Sequence, residues 1–111
     1  MIQITLHIND VDRALEIHEM STLDLMKVRR LREDMIAHPD PDPDANVLKV
    51  FFYPVLKYAS SGEVPTMEEF LSMSYVQSNK WYEAVDTINP GQLPKSEDES
   101  ESEEVKLEKK G

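Results

Sequence analysis

Apolar and polar residues alternate strictly at the start of the chain: Ile2, Ile4, Leu6 and Ile8 are separated by Gln3, Thr5 and His7. β-branched residues at period two predict a half-buried strand. Asn9-Asp10 then supplies a turn. The next segment reads two ways. Val11, Leu15 and Ile17 alternate loosely, whereas Val11, Ala14, Leu15 and His18 fit a helix face capped by Asp10. The return strand of a hairpin is favoured, because a lone strand needs a pairing partner.

The period then changes. Ser21 stands three residues before Asp24, an approximate capping box. Leu25, Val28, Leu31 and Met35 follow at helical spacing, with Pro39 as the stop. Asp40-Pro41-Asp42-Pro43-Asp44 predicts an extended, stiff linker. Val47, Leu48, Phe51, Phe52, Val55, Leu56 and Ala59 predict a central helix, kinked or divided at Pro54 and stopped by Ser60-Ser61-Gly62. Thr66 and Glu69 form a capping box before Phe70 and Leu71. Trp81, Ala84, Val85 and Ile88 define a last helix that closes at Asn89-Pro90. The expected fold is mainly α, of α+β type: an N-terminal β-hairpin, then a small bundle of about four helices.

Composition divides this plan in two. Residues 95–111 hold seven acidic residues, four lysines and three serines, with Val105 and Leu107 as the only large apolar side chains. Such a segment buries too little to offset its ordering entropy, so it is expected to be a disordered acidic tail. The folding unit is expected to be residues 1–94. Of the net charge of −10, the tail carries −3 (four positive, seven negative) and the rest −7 (eight positive, fifteen negative). Acidity on that scale opposes general binding to nucleic acid or anionic lipid. There is no membrane-length apolar stretch and no secretory signal pattern, so a soluble cytosolic protein is expected.

Candidate chemistry is sparse. The absence of cysteine excludes a thiol nucleophile and cysteine-ligated metal. His7, His18 and His38 share no ligand spacing, and the Asp40/Asp42/Asp44 alternation lacks the glycine and terminal glutamate of a calcium loop. Only Gly62, Gly91 and Gly111 are present, which leaves no glycine-rich phosphate loop. Neither catalysis nor a cofactor is expected. Lys27, Arg29, Arg30 and Arg32 form one basic run, with Asp24, Glu33 and Asp34 on the same helix to pair with them. The aromatic residues Phe51, Phe52, Tyr53, Trp81 and Tyr82 are the candidates for partner binding. Most of them are needed in a core this small. Phe51, Phe52 and Tyr53 are consecutive, however, and helix positions are about 100° apart, so at least one must face outward.

Two stretches carry a resemblance. GEVPTMEEFLSM, with Pro65, Thr66, Glu68, Glu69, Phe70 and Leu71, is similar to the helix start found in tail assembly chaperones of long-tailed bacteriophages. WYEAVDTINPGQLP, with Trp81, Ala84, Val85, Asn89 and Pro90, resembles the ending of the same proteins. The likeness extends loosely over about 90 residues. It implies a protein that coats the hydrophobic tape-measure protein in the host bacterial cytoplasm and is absent from the finished virion. It further implies a longer frameshifted form that recruits tail-tube subunits. Lys109-Lys110 can be encoded by A-AAA-AAG, a heptamer on which ribosomes slip. Two other functions compete: an acidic inhibitor that mimics nucleic acid, and a minor virion subunit such as a connector or tail-completion protein. The partner's identity and any self-association stay open at this level.

Overall fold

The computed structural model describes residues 1–94; the expected acidic tail lies outside them. Strands β1 (Ile2–Ile8) and β2 (Val11–Ile17) pair antiparallel from Ile2↔Ile17 to Ile8↔Val11. The segment after the turn is therefore a strand and not a helix. Asn9 and Asp10 both take positive φ, 51° and 64°, the two-residue turn whose twist matches that of paired strands. One face of the hairpin carries Leu6, Ile8, Leu15 and Ile17, all buried.

A third strand, β3 (Ser60–Gly62), pairs with the end of β2, Leu15 opposite Gly62 and Ile17 opposite Ser60. The sequence reading took these residues only as a helix stop. A hairpin alone therefore understates the sheet, which has three antiparallel strands in the order β1-β2-β3. Gly62 is required there: its φ is 96°, and a Cβ would lie 2.7 Å from the Ala14 carbonyl oxygen.

Helix α1 (Thr22–Ala37) begins with a complete capping box. The Ser21 hydroxyl accepts from the Asp24 N–H at 3.1 Å, and the Asp24 carboxylate accepts from the Ser21 N–H at 2.9 Å. That backbone bond is the main reason the Asp24 carboxyl sits below the usual range. The chain after α1 is not the extended linker that three prolines predict. Helix α2 (Pro43–Val47) starts inside it. Proline at the first helical position forfeits no hydrogen bond, and Asp42 caps the turn by accepting from the Asp44 N–H at 3.0 Å.

α2 runs into a wide π-helical turn, Leu48–Phe52, and then into α3 (Tyr53–Tyr58). The cause is Pro54. It brings no N–H, so the Val50 carbonyl, four residues back, loses its ordinary α-helical donor. Helix α1 supplies the replacement: Arg32 Nε donates to that carbonyl at 2.9 Å. The expected kink is thus a local widening satisfied from outside.

Helices α4 (Met67–Ser72) and α5 (Tyr75–Ile88) complete the fold. α5 begins six positions before Trp81, the first residue of its apolar face, because Ser74 caps it by accepting from the Gln77 N–H at 3.3 Å. This first part lies along β1. Gln77 Oε1 accepts from the His7 N–H at 2.9 Å, and Lys80 Nζ donates to the Thr5 carbonyl at 2.6 Å, which covers part of a strand edge that would otherwise be open. The result is a compact α+β fold with about four helical segments against one small sheet.

Between sheet and helices lies the core. Leu6, Ile17, Leu56, Val55, Trp81 and Val85 are essentially inaccessible. Trp81 Nε1 donates to the Ser60 hydroxyl at 2.9 Å, and that hydroxyl donates to the Leu56 carbonyl at 2.6 Å. The indole polar atom is thereby satisfied in the middle of the core.

On the side of β2, Arg13 forms a two-pronged pair with Glu69, whose carboxylate also accepts from the Thr66 N–H at 2.9 Å. The Thr66 N–H, and after it Arg13, hold the Glu69 carboxyl below the ordinary glutamate value. A lowered folded-state pKa contributes stability that is fully present above the ordinary value and is lost as pH falls through the folded one. Acidification through that window should lower the thermal midpoint of the parent more than that of Glu69→Gln. Asp24 and Asp40 are lowered too, so the variant keeps part of the slope. Parallel pH profiles for the two proteins would contradict this role for Glu69.

Candidate functional site

The titratable groups do not converge. His7 pairs with Asp12 at 2.9 Å, His18 Nδ1 lies 3.1 Å from the Glu19 carbonyl, and His38 Nδ1 lies 3.3 Å from the Asp34 carbonyl at the end of α1. Among the described residues no group of three or more His, Asp or Glu side chains could hold a metal ion. Asp40 is engaged by Lys49 at 2.5 Å, which chiefly lowers its pKa. Asp42 and Asp44 serve the start of α2.

The five aromatic candidates part company. Trp81 and Tyr53 are core residues, both packed on Phe70, at centroid distances of 6.0 and 5.7 Å. The Tyr53 hydroxyl donates to the Pro65 carbonyl at 2.7 Å. Phe52 and Tyr82 are half-buried and pack on one another as a tilted ring pair, centroids 5.1 Å apart. Burial pushes the Tyr82 phenol up to about 12, so it is neutral at ordinary pH. Phe51 alone turns outward, with 45% of its surface exposed. Sequence reasoning required one outward ring in the run 51–53; the wide turn before Pro54 determines which one it is.

Phe51 is not isolated. The Arg32 guanidinium lies over its ring, 5.7 Å from the centroid, within the range of a cation–π contact. The short connection between Ala37 and Pro43 turns the chain back, so α1 and the α2–α3 rod form a helical hairpin. Ile36 lies one turn beyond Arg32 on α1, and Val47 one turn before Phe51 on the rod. Both are exposed, at 58% and 44%. Arg29 is one turn before Arg32's neighbour Glu33 and meets that carboxylate only loosely, at 3.8 Å, with both side chains largely in water. Apolar and cationic groups thus alternate across one surface.

No family model, characterised protein or solved structure matches the chain. The functional reading therefore stands on the residues themselves. Two other surface features lie apart from Phe51. Tyr75 and Val76, 73% and 71% exposed, form with Leu71 an apolar corner between α4 and α5. The sequence reading missed it by starting the helical pattern at Trp81. Of the polar residues one turn away on the same helices, Asn79 is bonded to Glu83 and Lys80 to the Thr5 carbonyl, so neither is directed at that corner. A cleft of about 210 Å³ lies between the start of α1 and the end of α5, lined by Met20, Leu25, Ile88 and Pro90 among others; it is smaller than typical small-molecule pockets. No described helix is long and apolar enough to cross a membrane.

Proposed function

We propose that the chain is a tail assembly chaperone of a long-tailed bacteriophage, one that binds and solubilises the tape-measure protein during tail morphogenesis. The observation that carries this reading is the outward Phe51 with its apolar and cationic surroundings, a surface suited to the face of a partner helix. The resemblance in the segments around Pro65 to Leu71 and Trp81 to Pro90 gives that partner an identity. Those motif residues lie largely in caps and core: Thr66 and Glu69 start α4, Phe70 and Trp81 pack together, and Asn89 ends α5. They describe a scaffold, and the helical hairpin presents the contact surface. The strong net negative charge of −10 suits a protein that must keep a hydrophobic client dispersed. On this reading the protein acts in the host bacterial cytoplasm, is absent from the virion, and has tail-tube subunits as indirect partners through a longer frameshifted product.

The test is co-expression with a long, helical tape-measure protein that precipitates when made alone. The client should remain in the soluble fraction and elute with the chain on gel filtration. A client that precipitates equally with and without the chain overturns the proposal. So does the presence of the chain in purified phage particles at structural stoichiometry.

A further inference from the structure

The cations of residues 1–94 are unevenly employed. Four of the eight Lys and Arg side chains lie elsewhere than on α1. Arg13 is held by Glu69, Lys49 by Asp40 and Lys80 by the Thr5 carbonyl, while Lys57 lies over the Tyr58 ring at 5.4 Å. The other four are Lys27, Arg29, Arg30 and Arg32, all within two turns of α1. Lys27 and Arg30 have no ion-pair partner among the described residues, and Arg29 has only its loose contact with Glu33.

Arg32 differs from its neighbours in being fixed. Its Nε is committed to the Val50 carbonyl, which Pro54 leaves without a helical donor, and its Cζ lies over the Phe51 ring. The two terminal nitrogens have no hydrogen-bond partner among the described residues. A guanidinium held at one end and free at the other presents a pre-oriented fork, the geometry that matches a carboxylate. Beside that fork stand an exposed aromatic ring and the aliphatic side chains of Ile36 and Val47. Few side-chain rotamers remain to be frozen when something binds there.

We infer that Arg32 and Phe51 form a two-pronged docking site for an acidic amphipathic helix, the guanidinium taking a carboxylate and the ring an apolar side chain of the same helix face. Charge complementarity selects this occupant. Arg32 supplies the fixed positive charge and Arg29, on the same side of α1 and only loosely held by Glu33, adds to it, whereas Lys27 and Arg30 lie round the far side of the helix. The local balance favours an acidic flank over a basic one, although the molecule as a whole is acidic. The inference rests on the chaperone reading only for the identity of the partner; the site itself follows from α1 and the wide turn.

The probe is a fluorescein-labelled synthetic amphipathic peptide with leucines on one face and glutamates flanking them, beside a twin with lysines in place of the glutamates. Fluorescence anisotropy is measured against the full chain. The acidic peptide should bind at least tenfold more tightly than its twin, and its affinity should fall with added salt. Phe51→Ser should weaken it at least tenfold with an unchanged thermal midpoint, since the ring is half in solvent. Arg32→Lys keeps a donor for the Val50 carbonyl but loses the fork, and should also weaken binding at least tenfold while remaining folded by circular dichroism. Equal binding of the two peptides, binding of neither, or wild-type affinity in both variants overturns the site. The client experiment separates the two proposals. Tape-measure protein that still co-purifies with both variants at wild-type yield overturns the site and leaves the chaperone reading standing. Selective peptide binding without client solubilisation does the reverse.

Discussion

Trp81→Ala is expected to destabilise the fold by about 3–5 kcal/mol, the range for removing a buried aromatic side chain and leaving a cavity. A domain of this size has roughly 5–15 kcal/mol in total, so the variant should sit near its unfolding limit. In thermal unfolding followed by circular dichroism, the midpoint should fall by more than about 10 °C. The loss has two sources. The indole fills the space among Phe70, Val85 and the sheet, and its Nε1–H is the link to Ser60 at the start of β3. Trp81→Phe restores most of the volume but not the hydrogen bond, and should fall between the two. A midpoint for Trp81→Ala within 3 °C or so of the parent would contradict this account of the core. The same geometry disqualifies Trp81 as a binding probe: a polar substitution there reports on folding before it reports on any partner.

The second large effect is expected at Asn89. Its side-chain oxygen accepts from the Met20 N–H at 2.8 Å, and its amide donates to the His18 carbonyl at 3.0 Å. The residue is buried at the C-terminus of α5, and its own N–H bonds the Val85 carbonyl. It therefore ties the β2–α1 connection to the last helix through the buried Met20 N–H and the part-buried His18 carbonyl. Asn89→Ala removes both partners, and each unsatisfied group costs about 1–3 kcal/mol. A loss of about 2–4 kcal/mol in urea denaturation is expected, with part of it recovered by water at the cleft. Asn89→Asp keeps the acceptor for Met20 but sets a carboxylate oxygen against the His18 carbonyl, so it should recover little. A change below 0.5 kcal/mol or so in Asn89→Ala would show that the bridge contributes nothing net.

These two residues also show what the sequence could and could not reveal. Trp81 stood on an apolar stripe with Ala84, Val85 and Ile88, and the helix and its inward face follow from that spacing alone. Asn89-Pro90 read as an ordinary helix stop, which is correct for the backbone but silent about the side chain, because its partners are about 70 positions away. The hairpin and the capping boxes at Ser21 and Thr66 were legible for the complementary reason: all of their determinants lie within a few residues. β3 was not. Ser60-Ser61-Gly62 has no alternating apolar residues, and it becomes a strand only because β2 lies beside it. The first turns of α5 were hidden in the same way, since Gln77 and Lys80 carry polar contacts to β1 where a pattern search looks for leucines. At Asp40 to Asp44 the prolines by themselves suggest an extended linker, but Pro43 is compatible with a helix start once Asp42 caps it. At the candidate site, the need for one outward ring was visible, but Phe51 was not singled out, because its direction depends on a turn of non-standard pitch.

That turn has a consequence for how the chain can change over time. A π-helical turn holds one residue more than an α-helical turn covering the same rise. Everything after Leu48 is therefore rotated relative to everything before it. Tyr53, Val55 and Leu56 point at the core while Phe51 points away. The buried and exposed surfaces of the rod are thus geared to one another. A one-residue deletion between Leu48 and Phe52 would shorten the rod by little but would re-aim Phe51 or the core residues by about 100°. Point substitutions at Ile36, Val47 or Phe51 can retune the outer surface freely, whereas length changes in this segment are closed to it. Variation in such a protein should appear there as changes of residue type and never of residue number.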